Sequence, residues 1–140
     1  VSASGVPVGN ARVALTQKDA VVTREFVATT TTDGKYSVDV DPGGEMGIEY
    51  ELIVEPSQSS GLPRYREIVP IGSRAVQHNV ALYAASFVYG TVVGPDGVGL
   101  AEVTISFYSA ELGSTEAPVL VGLGRSSDNG EFVVPLPTLE

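Results

Sequence analysis

Apolar residues recur at every second position through long stretches of this chain, the period of a strand with one buried face. Ala11, Val13 and Leu15 fall on one face, with Arg12, Ala14 and Thr16 on the other. Tyr36, Val38 and Val40 alternate with Lys35, Ser37 and Asp39. Ile48, Tyr50, Leu52 and Val54 alternate with Glu49, Glu51 and Glu55, and Ile53 is the exception on the polar side. Val76, His78, Val80 and Leu82 alternate with Gln77, Asn79 and Ala81. Later, Val103, Ile105 and Phe107 oppose Glu102, Thr104 and Ser106, while Phe132, Val134 and Leu136 form another inward set. The pattern predicts strands at 48–55, 64–70 and 74–83 as well as around these shorter runs, and no helix. Burial on one side belongs to antiparallel sheets packed face to face.

Gly, Pro, Asp and Asn punctuate the runs. Asp33-Gly34 and Asn129-Gly130 predict tight primed hairpin turns, because Gly and Asn tolerate positive φ. Pro95-Asp96-Gly97 predicts another turn. Two blocks then match. Gly5-Val6-Pro7-Val8-Gly9-Asn10-Ala11-Arg12-Val13-Ala14-Leu15 aligns with Gly97-Val98-Gly99-Leu100-Ala101-Glu102-Val103-Thr104-Ile105-Ser106-Phe107 at an offset of 92. Thr32-Asp33-Gly34-Lys35-Tyr36-Ser37-Val38 aligns with Asp128-Asn129-Gly130-Glu131-Phe132-Val133-Val134 at an offset of 96. A repeat of this length is a domain-sized unit.

The second copy opens with Phe87-Val88-Tyr89-Gly90-Thr91-Val92-Val93, followed by Gly94-Pro95-Asp96-Gly97 and the alternating strand from Val103. Together with Ser127-Asp128-Asn129-Gly130-Glu131-Phe132, and the shorter Thr31-Thr32-Asp33-Gly34-Lys35-Tyr36, this resembles the carboxypeptidase regulatory-like domains. That resemblance implies an all-β, antiparallel, Ig-like or prealbumin-like β-sandwich, akin to collagen-adhesin B-type repeats and transthyretin. It implies no particular ligand. On this reading, residues 1–84 are a sandwich lacking its first strand and residues 85–140 are the N-terminal part of a second, truncated copy. Exposed edges invite strand pairing, so residues 87–93 are expected to fill the vacant first-strand place of copy one, within a chain or in a strand-exchange dimer.

Composition narrows the function classes. The chain has 140 residues, a formal net charge of −9 and eight Lys plus Arg without a cluster. A nucleic-acid partner would need clustered cations, and so would an anionic membrane surface. The longest apolar runs fall far short of a membrane-spanning helix. Cysteine is absent, which excludes disulfides, thiolate metal sites and cysteine nucleophiles. Val1 opens the chain without a charged-then-apolar leader, and the chain reads as a mature or excised piece of a longer polypeptide.

The candidate chemistry is sparse. Carboxypeptidases of the related class use zinc, but His78 is the only histidine and no His-x-x-Glu accompanies it. A Ser-His-Asp arrangement would rest on that same residue, which reads as inward-facing strand. Gly122-Leu123-Gly124-Arg125 is a fragment of a phosphate-loop pattern without its Lys or helix. Glu49, Glu51 and Glu55 read as a solvated strand face rather than a glycosidase pair. Asp39 to Glu45 could supply oxygens to calcium, but its spacing departs from an EF-hand loop and reads as a turn. Tyr36 and Tyr50 read as core, and Tyr65, Tyr83, Tyr89 and Tyr108 as partly exposed. The collagen-adhesin likeness brings a Lys–Asn isopeptide bond into view. Lys18 and Lys35, however, read as surface residues, and Asn79 lacks the strand that would donate the lysine.

The remaining candidate is the Ser/Gly/Pro-rich loop 56–66, read as a mobile surface segment, where Arg64, Tyr65 and Arg66 form the one local concentration of positive charge with an aromatic. The chain is expected to be no enzyme and to need no cofactor or metal. The expected function is a structural, spacer or interaction module of a larger exported or cell-envelope protein, placed outside the cell, in a periplasm or at the cell surface. Its partners are then neighbouring domains of the same polypeptide. A glycan- or protein-binding module using Arg64, Tyr65 and Arg66 is the first alternative, and an accessory domain of a metallocarboxypeptidase the second.

Overall fold

A computed structural model of the chain describes residues 1–2, 4–18, 20–44, 47–109 and 117–138. Strands in antiparallel sheets are the main regular structure of the described residues, with one short 3-10 turn at Gln58–Ser60. Among them, no helix is long and apolar enough to cross a membrane. The chain divides into two compact units, Val1–Ser60 with Tyr65–Leu82, and Gly61–Arg64 with Tyr83–Glu140.

In the first unit, β1 (Arg12–Gln17), β2 (Glu25–Thr29), β3 (Ile48–Glu55) and β4 (Tyr65–Ile71) form one antiparallel sheet ordered β2-β1-β3-β4. Val13 lies opposite Ala28 and Val54, Leu15 opposite Phe26 and Leu52, and Tyr50 opposite Val69. Alternation therefore gathers these residues on one face, where Val13, Tyr50 and Leu52 are buried. Each such side chain contributes about 1.5–3 kcal/mol through removal from water. Phe26 meets Tyr50 edge-on, with ring centroids 6.2 Å apart at 70°. The Tyr50 hydroxyl donates to Asp41 O at 2.8 Å, so burying the ring orphans no polar group.

The opposite face is laced by cross-strand ion pairs. Arg12 reaches Glu25 at 2.8 Å and Glu55 at 3.3 Å, Lys18 reaches Glu49 at 3.0 Å, and Arg66 pairs with Glu51. Exposed pairs of this kind contribute at most about 1 kcal/mol each. Their chemistry is that of a solvated face in register, as the Glu alternation predicts.

Two predicted strands are absent as strands. Neither 35–41 nor 74–80 belongs to a sheet, and Arg74 lies in a bend. Alternation reports which side chains turn inward, whereas a strand also needs a backbone ladder. Among the described residues, the backbone of 35–41 is bonded only at its ends, where Lys35 O accepts from Thr31 N–H and Asp41 O from Tyr50. Val76, predicted inward, is 53% exposed. The loop at 56–66 also differs from expectation. It contains the 3-10 turn, and β4 begins inside it at Tyr65.

In the second unit, β5 (Ala85–Thr91) pairs with β8 (Glu131–Pro137), and β6 (Thr104–Ser109) pairs with β7 (Val119–Arg125). Expected to complete the first module, β5 instead pairs with β8 from Thr91↔Glu131 to Ala85↔Pro137. Gly122 and Gly124 lie in β7, so Gly122-Leu123-Gly124-Arg125 is no phosphate loop. A Cβ on Gly122 would sit 2.3 Å from Leu136 Cδ2, and one on Gly124 2.5 Å from Val134 Cγ2. The two glycines let β7 lie against β8, and Val134 is completely buried there.

One hydrogen-bond frame occurs in both units. In the first, Thr30 Oγ1 accepts from Ala11 N–H at 2.9 Å and donates to Val8 O at 2.7 Å. In the second, Ser126 Oγ accepts from Val103 N–H at 2.9 Å and donates to Leu100 O at 2.6 Å. Asn10 N–H to Thr30 O and Thr30 N–H to Ala11 O have counterparts in Glu102 N–H to Ser126 O and Ser126 N–H to Val103 O. The turn bond Gly34 N–H to Thr31 O recurs as Gly130 N–H to Ser127 O. Asn10 and Glu102, the two non-glycine residues with positive φ among those described, occupy matching places at 56° and 59°. Neither predicted hairpin forms, since 35–41 is no strand and β7 and β8 do not pair with each other, and in both turns only the glycine has positive φ, 75° at Gly34 and 82° at Gly130. The bonds Gly34 N–H to Thr31 O and Gly130 N–H to Ser127 O put each glycine in the fourth place of its turn, after two central residues without positive φ, so neither turn is of a primed type.

Candidate functional site

The register of β4 against β3 turns Tyr65, Glu67, Val69 and Ile71 to the same face as Val54, Leu52, Tyr50 and Ile48. Glu67 is thus a carboxylate on the apolar face of the first unit. Tyr65 donates to Glu67 Oε2 at 2.5 Å, and His78 Nε2 lies 2.9 Å from the same oxygen. The Tyr65 hydrogen bond is the main cause holding the Glu67 carboxyl below its ordinary value. Burial opposes this, and the bond and charge of His78 add to it. The Tyr36 hydroxyl donates to His78 O at 3.0 Å, and burial, then the charge of Glu67, push that phenol up.

This grouping was not legible from spacing, since Glu67 and His78 follow no motif. The available signal was the period-two placement of Glu67 between Tyr65 and Val69. Chemically, the grouping joins an acid, an imidazole and two phenols, whose bonds tie residues 36 and 78 to β4. Among the described residues, no three His, Cys, Asp or Glu side chains converge as a metal site.

Beside it runs a cleft of about 760 Å³. Leu15, Leu52 and Val69 of the sheet line one wall, and Tyr36, Val38 and Val40 are among the residues lining the other. A second cavity of about 330 Å³ shares Gly34, Tyr36, His78 and Asn79 with it and is otherwise lined by Val13, Val54, Val80 and Leu82 among others.

Arg64, Tyr65 and Arg66 are not presented together. Arg64 belongs to the second unit, where its Nη1 donates to Leu120 O at 2.5 Å. Tyr65 and Arg66 open β4, and successive strand residues face opposite ways. Tyr65 therefore points inward to Glu67, while Arg66 points outward to Glu51.

The other candidates are also engaged. Asp41 pairs with Arg24 at 2.8 Å, and Glu45 of the same acidic stretch lies outside the described residues. Lys18 and Lys35 form ion pairs with Glu49 and Asp33. Tyr83, Tyr89 and Tyr108 are exposed, and Tyr89 sits opposite Val133 on the solvent face of β5–β8 near exposed Phe87. The chain matches no protein-family model, no curated protein and no solved structure.

Proposed function

We propose that the chain is a tandem of Ig-like, prealbumin-like sandwich modules, the second truncated, acting as a non-catalytic spacer in a larger exported or cell-envelope protein. The observation that carries this reading is the frame around Thr30 and its counterpart around Ser126, bond for bond. In each, a buried hydroxyl clamps the strand entry to the end of the following strand. The polar groups of the first unit do the same kind of work. Tyr50 secures Asp41, the Glu67 group secures residues 36 and 78, and the outer carboxylates secure register. Such chemistry holds backbone in place and leaves function to the neighbouring domains.

Thermal melts of the chain with calcium, zinc and a panel of oligosaccharides test this. A spacer keeps one melting temperature throughout, whereas a ligand present at about 100 times its Kd would add roughly 2.7 kcal/mol of stability. A saturable rise with any of them refutes the spacer reading. One observation favours a binding module as second reading, the exposed Phe87, Tyr89 and Val133 on one sheet face. A glycan array without response to the chain removes its glycan form.

A further inference from the structure

The second unit carries the pair Asn129-Gly130 in a turn that the first unit matches with Asp33-Gly34. Asn129 is exposed, yet both ends of its side-chain amide are held. Ser127 Oγ donates to Asn129 Oδ1 at 2.5 Å, and Asn129 Nδ2 donates to Glu131 Oε2 at 2.8 Å. A donor on Oδ1 stabilises the negative charge that gathers there when a nucleophile adds to Cγ. The next main-chain nitrogen belongs to a glycine, so no Cβ hinders its approach to that carbon. The other two asparagines lack this setting. Asn10 precedes Ala11, which is buried with its N–H on Thr30 Oγ1, and Asn79 precedes the buried, branched Val80.

We propose that Asn129-Gly130 is a self-modification site, at which the chain deamidates without an enzyme and thereby weakens its second unit. The bond from Gly130 N–H to Ser127 O, 2.9 Å in the closed turn, opens first, and the amide proton passes to a solvent base. Gly130 N then bonds to Asn129 Cγ. The Cγ–Nδ2 bond breaks, and Nδ2 takes a proton from water and leaves as ammonia. Water opens the resulting succinimide, its proton going to Gly130 N. Addition at Cγ breaks the Cγ–N bond and leaves an aspartate at position 129. Addition at the main-chain carbonyl carbon breaks that carbon's bond to nitrogen and leaves an isoaspartate, with one more carbon in the backbone. Neither product suits this turn as the amide does. The aspartate loses the donor to Glu131 and sets two carboxylates against each other. The isoaspartate lengthens the main chain where it is crowded, since a Cβ on Gly99 would stand only 2.0 Å from Asn129 O. In the first unit Asp33 accepts from Thr31 and pairs with Lys35 at 2.9 Å. The frame therefore accepts a carboxylate where a cation stands two residues on, and the second unit has Glu131 in that place.

The test incubates the full chain, folded and in urea side by side, in mildly alkaline buffer at body temperature, with peptide mapping by mass. Asn129 is expected to convert in both, more slowly in the folded chain because the turn must open, while Asn10 and Asn79 stay intact there. The converted chain is expected to melt about 1–5 °C lower than the fresh one. Asn129→Asp is expected to reproduce that loss at once, and Glu131→Lys added to it to recover the melting temperature. Asn129 left intact in the folded chain after it has converted in urea overturns the proposal, and so does conversion led by Asn10 or Asn79. Equal melting of Asn129→Asp with and without Glu131→Lys overturns the carboxylate clash as its consequence.

Discussion

Replacing Thr30 by Val exchanges a hydroxyl for a methyl at nearly constant volume, in a side chain only 7% exposed. Two backbone groups lose their partner, the Ala11 N–H held at 2.9 Å and the Val8 carbonyl held at 2.7 Å. An unsatisfied buried polar group costs about 1–3 kcal/mol. The Val8 site is only partly buried and water relieves some of its cost, so Thr30→Val is expected to lose about 2–4 kcal/mol. That is a large share of the roughly 5–15 kcal/mol of a typical domain. Ser126→Ala orphans the matching pair, Val103 N–H and Leu100 O, at a residue 2% exposed, and a loss of similar size is expected in the second unit. Thr30→Ser keeps the hydroxyl and is expected to lose less than about 1.5 kcal/mol, for one methyl group. Urea unfolding followed by tryptophan-independent probes, such as tyrosine fluorescence and circular dichroism, reads all three variants. Losses below about 0.5 kcal/mol for Thr30→Val or Ser126→Ala would show that the hydroxyl frame holds nothing, and would refute the reasoning.

Three further outcomes are expected. Gly130→Ala should destabilise more than Gly34→Ala by about 1–3 kcal/mol in the same assay, because its Cβ meets Val92 O at 2.3 Å while both glycines carry positive φ; equal losses would contradict this. The Asp33 carboxyl is held to about 2 by the Thr31 hydroxyl first and Lys35 second, so a carbon-detected titration should find its midpoint there and Thr31→Val should move it toward the ordinary 3.8; a midpoint already at 3.8 in the parent chain would contradict the geometry. Glu67 is likewise held below its ordinary 4.5, so its bonds with Tyr65 and His78 stabilise the fold above that pH and their contribution fades as pH falls through the folded-state value. Glu67→Gln should therefore flatten the acid side of the urea-midpoint profile, and an unchanged profile would show that the carboxylate is not coupled to folding.

Much of the first sheet was readable in the chain because Val13, Leu15, Tyr50, Leu52 and Val54 keep a strict period of two. The same logic misread residues 35–41 and 74–80, whose side chains alternate but whose backbones lack a ladder. Two strands left no clear signal. In β7 glycines stand at the buried positions 122 and 124, where periodicity looks for bulky apolar side chains. In β2 the run is five residues, and only Phe26 and Ala28 mark its inner face. The turn glycines and their matching places were legible, because a left-handed residue is a local demand of the backbone. The Tyr65–Glu67–His78 grouping was not, because it is assembled by register between β3 and β4 and by a segment outside the sheet. Arg64, Tyr65 and Arg66 illustrate the opposite error, in which neighbours in sequence are sent to different surroundings by strand alternation.

Amide exchange on the intact chain tests the tandem frame most directly. Slow exchange is expected at Asn10, Ala11, Thr30, Thr31 and Gly34, and at their counterparts Glu102, Val103, Ser126, Ser127 and Gly130. Exchange is also expected to be slow within 132–136, where β5 pairs, and fast at 36–40, where no ladder exists among the described residues. Fast exchange at Val103, Ser126, Ser127 and Gly130 while the first set is protected would contradict the claim that one frame builds both units.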